Sequence, residues 1–369
     1  YTGFLIVFMI VSTFTERQSL QYIFLAFIFA GVTNISYGLI VQFFGDPIPW
    51  VNNYGALLGL FGNPDFAGAF FGMLSAAFLA FGLNFWKEKT KFLFSILLVL
   101  LSLYFVLLTK TTQGILVAAI SLSVTLILFF WLQVRNKFLT IGFLCVTVFS
   151  GIIAILGIFQ KGPLSAILYK RSVSLRGVYW EAAIESGKSH LLTGVGFDAF
   201  GDWYRRSRSL KAATWFPGPE TITNVAHNYY LDIFAYGGLL LLISYVLFTL
   251  VGLYSIFKII KELKSFDFLP VSLIAIFVGF QAQSFISIPQ IGLAIWGWVI
   301  NGMLFSFAMK DNSRTEDSSQ RLKKRNTNEL PIGIFIFVGM VIGFILAVPP
   351  YSADAKWTNA VNSQNLQKL

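Results

Sequence analysis

Long apolar runs recur from one end of this chain to the other, and that repetition constrains its fold more than any other feature. A run of roughly 18 or more apolar residues can cross a bilayer as a helix, and in lipid a helix satisfies its own backbone N–H and C=O groups. The reading is about ten such spans, near 1–14, 21–44, 64–86, 92–109, 113–132, 138–159, 226–257, 268–288, 290–309 and 331–350. The eighth and ninth close into a tight hairpin around Ile288-Pro-Gln290. The first is short and the chain opens on Tyr1 rather than Met, so more chain, with further helices, is expected upstream, and more downstream of the tail. The fold class is therefore all-α, a polytopic integral membrane protein with one large polar loop. Only 12% of the residues are charged, about half of what a soluble domain carries. The 40 Phe suit lipid-facing helices.

The formal net charge of +10 would raise nucleic acid as a partner in a soluble protein. Here much of the charge lies in short connections, so orientation explains it better and no nucleic-acid partner is expected. Four basic connections matter: Lys87-Glu-Lys-Thr-Lys91; Arg135 with Lys137; Lys258, Lys261 and Lys264; and residues 310–330, with Arg314, Arg321, Lys323, Lys324 and Arg325. Alternating the spans puts all four on one side, which the positive-inside rule makes cytoplasmic. The expected organisation is then N-terminal spans (1–159), an extracytoplasmic basic loop (160–225), C-terminal spans (226–350) and the start of an outer tail (351–369). Cys145 is the only cysteine, which excludes a disulfide framework or a cysteine metal cluster within one chain.

The loop 160–225 holds Lys161, Lys170, Arg171, Arg176, Lys188, Arg205, Arg206, Arg208 and Lys211 against five acids. A loop of this length is largely exempt from the orientation rule. Its basic excess fits an anionic ligand or anionic lipid head groups. Arg176, Tyr179, Trp180 and Ala183 share one helical face; Gly194-Val-Gly196 breaks that helix, and a second is expected over 197–204. A guanidinium matches phosphate oxygens with a planar fork of donors; the plainer reading of Arg176 is a surface arginine stacked on Trp180 or paired with Glu181.

His227 and Asn228 stand where this loop enters the seventh span. An ordinary imidazole there can take a proton near neutral pH and act as a general base, or simply cap a helix. Asp232 shares the Asn228 face about one turn further in, where a carboxylate needs a partner or a watery cavity. Asn63, Pro64 and Asp65 read as a helix start with cap, first-turn proline and dipole-matched acid; that helix end is also a candidate wall of the site. Lys110 and Gln113 lie in a polar turn facing the same compartment. The sequence holds no Walker A, dinucleotide-binding glycine fingerprint, His-Glu-x-x-His or Asp-x-Asp. The centres of most spans carry no ionisable residue, which speaks against an ion-coupled transporter.

Four blocks resemble the bacterial O-antigen ligase and polymerase superfamily, which includes the O-linked oligosaccharyltransferases. In order they are Phe61-Gly-Asn-Pro-Asp-Phe-Ala67; Thr112-Gln-Gly114; Arg176-x-x-x-Trp180 with Leu192-Thr-Gly-Val-Gly196; and His227-Asn-x-x-Leu231 with Gly237-Gly238. A late Trp296-Gly-Trp298 is similar too. The resemblance implies an enzyme of the bacterial cytoplasmic membrane that moves glycan from an undecaprenyl-diphosphate carrier to a glycan, lipid or protein acceptor on the outer face, with no metal and no cofactor. It implies that Arg176 binds the diphosphate and that His227 is the base or positions the acceptor; beside it, Asn228 and Asp232 are read as orienting the acceptor from their shared helix face. Where the family carries Ser-Arg-Gly this chain has Gln113, so Lys110 or Arg171 would supply the second cation. A flippase of lipid-linked glycans, with the same basic loop and no chemistry, is the alternative; a non-catalytic scaffold is a third reading.

Overall fold

The computed structural model describes residues 2–48, 52–169, 171–288, 290–309 and scattered positions between 338 and 363. Regular structure among the described residues is helical. Along the chain run α1 (Thr2–Ser12), α2 (Arg17–Phe44), α3 (Pro64–Asn84), α4 (Lys89–Leu108), α5 (Thr112–Phe129) and α6 (Lys137–Ile158). Four helices of the polar segment follow, of which only α8 is long: α7 (Ser165–Leu168), α8 (Arg171–Ser189), α9 (Phe200–Ser207) and α10 (Leu210–Thr214). Then come α11 (Tyr229–Glu262), α12 (Phe268–Ser284) and α13 (Ile291–Met309). Seven helices among the described residues are long and apolar enough to cross a membrane; α1 and α12 are apolar but shorter. The protein is membrane-embedded, and the span expected at 331–350 falls largely outside the described residues. The division into two compact units follows the same line, at Lys310 and Asp311; in the second unit the described residues are helical and mostly exposed.

The centre of the first unit is α3. Its most apolar window is 94% buried against 6% for α6, so α3 is the core helix and α6 gives most of its surface to lipid. Small residues let its neighbours close in. A Cβ on Gly68 would stand 2.7 Å from the hydroxyls of Thr109 and Thr111, and one on Gly72 would stand 2.7 Å from the Ala118 nitrogen. The first two turns of α3 therefore lie directly on the start of α5.

Hydrogen bonds sort the helix ends into two groups. Arg17 at the start of α2 grips Asp267, the cap of α12, at 2.5 and 2.8 Å. Asn84 Oδ1 accepts from Phe268 N–H at 3.2 Å, and Arg135 donates to the Lys264 carbonyl at 2.8 Å. Three of the four basic connections thus meet at the end of the bundle where α3 finishes. At the other end, about 30 Å away along α3, Lys110 Nζ donates to the Gly55 carbonyl at 2.6 Å and Leu57 N–H to Leu108 at 3.0 Å.

α11 is broken rather than continuous. Gly238 has φ 62°, and the nine-residue arm before it carries the polar segment. The chain after α8 pairs with this break. Val195 N–H donates to Ala235 at 2.8 Å, Gly196 N–H to Tyr236 at 3.0 Å, and Leu239 N–H to Leu191 at 2.8 Å. A break inside a membrane helix frees backbone groups that need new partners, and residues 191–196 supply them. The contact is too close for side chains: a Cβ on Gly194 would stand 2.4 Å from the Tyr236 carbonyl carbon, and one on Gly238 would stand 2.5 Å from that of Leu192.

Some boundaries differ from expectation. The helix expected at 197–204 runs from Phe200 to Ser207, because the chain through Val195 and Gly196 is spent on α11. α12 ends at Ser284, short of the expected 288, and Pro289 of the expected hairpin lies outside the described residues.

Candidate active site

α8 packs on the first arm of α11 and on α9, which brings the polar segment over the start of α3 and α5. At this place Arg176, Asp65, Gln113, Tyr179 and His227 come together.

His227 sits between the loop and α11 with φ 56°, a left-handed conformation that costs a non-glycine residue on the order of 1 kcal/mol or more and persists only where neighbours impose it. They do so on both sides. Ala226 N–H donates to Asp232 Oδ1 at 2.6 Å, and the same carboxylate lies within hydrogen-bonding reach of the Asn228 N–H. The Asn228 side chain in turn caps α11, accepting from Tyr230 and Leu231 N–H at 3.1 and 3.2 Å. The expected substrate-orienting pair Asn228 and Asp232 is thus engaged with backbone on either side of His227. Asp232 is fully buried; its Oδ1 accepts from Ala226 N–H, while Oδ2 is buried without a partner among the described residues.

The imidazole stacks on Tyr179 with ring centroids 6.0 Å apart, and Tyr179 meets Tyr204 edge-on at 5.7 Å. Burial, and after it the charge of Arg176, lowers the His227 pKa to about 4. The expectation that it takes a proton near neutral pH is corrected accordingly: the ring is held neutral, with its lone pair available, and a proton is stabilised there only with a compensating negative charge.

Arg176 lies on the α8 face that carries Tyr179. Desolvation lowers its guanidinium below the ordinary value, and the carboxylate of Asp65 opposes that. Glu181, the other expected partner, accepts from Ser209 Oγ at 3.2 Å. Trp180 Nε1 is buried with no acceptor among the described residues.

Gln113 is 4% exposed. Its amide donates to the Asp65 carbonyl at 3.4 Å, while Oε1 is buried without a partner among the described residues. Lys110 is bonded to Gly55 and has φ 54°, so its ammonium helps hold the 52–58 loop. Arg171 opens α8 five positions before Arg176, roughly 140° round the helix, on a different face. Arg208, a further cation of the loop, turns inward and donates to the carbonyls of Gly218, Pro219 and Thr221 at 3.1–3.3 Å. Arg206 stacks over Trp203.

Sequence reasoning did not single out two residues of this cluster. Tyr179 is one; its signal was the shared face with Arg176. Asp65 is the other; the sequence made its helix end a candidate wall of the site but gave Asp65 itself only helix-start chemistry.

No curated protein matches the chain. Residues 97–246 match the family described as O-antigen ligase. That stretch runs from α4 into α11 and includes Gln113, Arg176, Tyr179 and His227. The match supports membership of the O-antigen ligase superfamily, and with it a ligase- or glycosyltransferase-type membrane enzyme.

Proposed function

We propose that this protein transfers glycan from an undecaprenyl-diphosphate carrier to an acceptor hydroxyl at the outer face of the cytoplasmic membrane. The observation that carries the reading is the stacking of His227 on Tyr179, which lies one turn along α8 from Arg176, so that a candidate phosphate-binding group and a candidate base share one half-buried place. That site lies at the end of the bundle opposite the gathered basic connections, and the positive-inside rule makes such an end extracytoplasmic.

In this reading Arg176 holds the diphosphate. The bond from the anomeric carbon to the diphosphate oxygen breaks, its electron pair leaves with the diphosphate, and the growing charge is stabilised by a fixed donor. The acceptor oxygen attacks the opposite face of the anomeric carbon and its proton passes to His227, so the anomeric centre inverts. The incoming diphosphate neutralises the field of Arg176 and adds negative charge beside the imidazole. His227 therefore becomes a better base when the donor is in place. Asn228 and Asp232 position it, and no step requires a metal. Lys110 and Arg171 remain candidates for secondary donor contacts from the flanks.

The test uses membranes containing the full-length protein, supplied with undecaprenyl-diphosphate-linked glycan and acceptor. Wild type is expected to release glycan from the carrier. His227→Ala should lose a factor of about 10² to 10⁴ in turnover, and Arg176→Ala should lose transfer through both donor binding and turnover. Full activity in His227→Ala would sink the assignment, and carrier movement across the bilayer without glycan release would point to transport.

A further inference from the structure

Tyr230 makes contacts that a straight helix forbids. In one continuous helix Tyr230 and Thr249 would stand about 28 Å apart. Their hydroxyls instead lie 3.3 Å apart. The Tyr230 ring meets that of Tyr245 edge-on at 5.2 Å, and the rings of Tyr229 and Tyr245 are 4.6 Å apart. The chain therefore reverses at Gly238, the break in α11, and the arm 229–237 folds back along the arm 239–262. The first arm is re-entrant. It carries its first turn, and His227 with it, about 12 Å below the Gly238 turn.

A re-entrant arm at membrane depth has to be held by protein. Residues 191–196 hold the end at Gly238. Tyr230 holds the other. Its hydroxyl donates to Gln281 Oε1 on α12 at 2.7 Å, and its ring stacks on Phe285 at 4.7 Å. Thr249, on the second arm, donates to the Tyr245 carbonyl at 3.1 Å and so presents its oxygen from a fixed place. Gln281 is 8% exposed, and its Nε2 is buried without a partner among the described residues. Polar side chains inside a membrane bundle hydrogen-bond across helices; here the bond joins the arm that follows His227 to a core helix.

His227 cannot move independently of this bond. Tyr230 N–H donates to Asn228 Oδ1 at 3.1 Å, and Asp232 Oδ1 accepts from Ala226 N–H at 2.6 Å. The residues on both sides of His227 are thus tied to the turn that Tyr230 anchors. We propose that the Tyr230–Gln281 hydrogen bond is the latch of a re-entrant arm and fixes the depth at which His227 meets the acceptor. Tyr230 and Gln281 are positioning residues that act through His227. The inference rests on the reading of His227 as the base.

The experiment uses the full-length protein in lipid nanodiscs. It compares wild type, His227→Ala, Tyr230→Phe, Gln281→Leu and the double variant Tyr230→Phe/Gln281→Leu by amide hydrogen exchange, thermal midpoint and steady-state transfer. Tyr230→Phe keeps the ring on Phe285, so the fold is expected to survive. Each single variant should speed exchange across 229–237 and leave 239–258 protected. Each should also lower kcat roughly 10- to 100-fold with KM for the lipid-linked donor little changed, a split that a loosened bundle would not produce. The double variant leaves neither partner orphaned, so its midpoint should return toward wild type while kcat stays low. Turnover that recovers with the midpoint would reduce the bond to a contribution to stability and overturn the proposal. Wild-type kcat, or unchanged exchange across 229–237, in Tyr230→Phe overturns it too. Transfer retained by His227→Ala would remove the base reading and the catalytic role of the latch with it; hydrogen exchange, which does not depend on activity, still decides whether the arm is latched.

Discussion

At the scale of single residues, the proposed chemistry turns on how burial, and after it Arg176, sets the basicity of His227. The free enzyme holds the imidazole at about 4, and below that value the ring is protonated and cannot accept the acceptor's proton. The acid limb of kcat/KM, which reports the free enzyme, should therefore fall near pH 4. The limb of kcat, which reports the donor complex, should lie at higher pH, because the diphosphate offsets Arg176 and stabilises the imidazolium. A pH–rate series on purified protein checks both, and coincident limbs would refute the coupling. Arg176 and His227 were legible in the sequence because each is an unusual residue type at a telling place, a fork of donors on an aromatic face and an imidazole at a helix mouth. Asp65 was not, because its meaning depends on α8 lying over the start of α3, a long-range packing that no local pattern encodes. The perturbed state of His227 was hidden for the same reason: burial is a property of the assembled site.

At the scale of elements, the helices follow the apolar periodicity closely, and the cap at Asn63 reads directly from its side chain; α11 is capped by Asn228, where the sequence offered His227 as a capping residue. The break in α11 was not legible, since the apolar run through 226–257 continues across it. Its sequence marks are glycines, Gly194 and Gly238, whose significance lies in each other. Each takes a positive φ, and each brings backbone too close to tolerate a Cβ. Gly238→Ala should accordingly cost about 3 kcal/mol or more, from strain and steric overlap combined. Most of the activity should go with it, although Gly238 touches neither Arg176 nor His227. A thermal melt in detergent beside a transfer assay measures both effects; a variant with wild-type midpoint and activity would show that the docked segment is dispensable.

At the scale of the whole molecule, the two ends of the bundle differ in kind. One gathers Arg17, Arg135 and Lys264 around Asp267 and Asn84; the other presents Asp65, Arg176 and His227. The alternation of basic connections in the sequence anticipates this division, because charge at membrane borders is a local property that survives folding. Its expected outcome in cells is asymmetric labelling. With Cys145 replaced by serine, a single cysteine at Ser207 should react with a membrane-impermeant maleimide applied from outside, and one at Lys264 should react only after the membrane is opened. The reverse pattern would invert the topology and move the site to the cytoplasmic face.

The docking of residues 191–196 into the α11 break also has a mechanical consequence. It rivets the chain after α8 to the arm that follows His227, so in the proposed reaction the leaving-group holder and the base ride on one lever, while Asp65 belongs to the bundle against which that lever bears. A tilt of the lever would alter the reach of Arg176 to Asp65 yet leave its spacing to His227 intact.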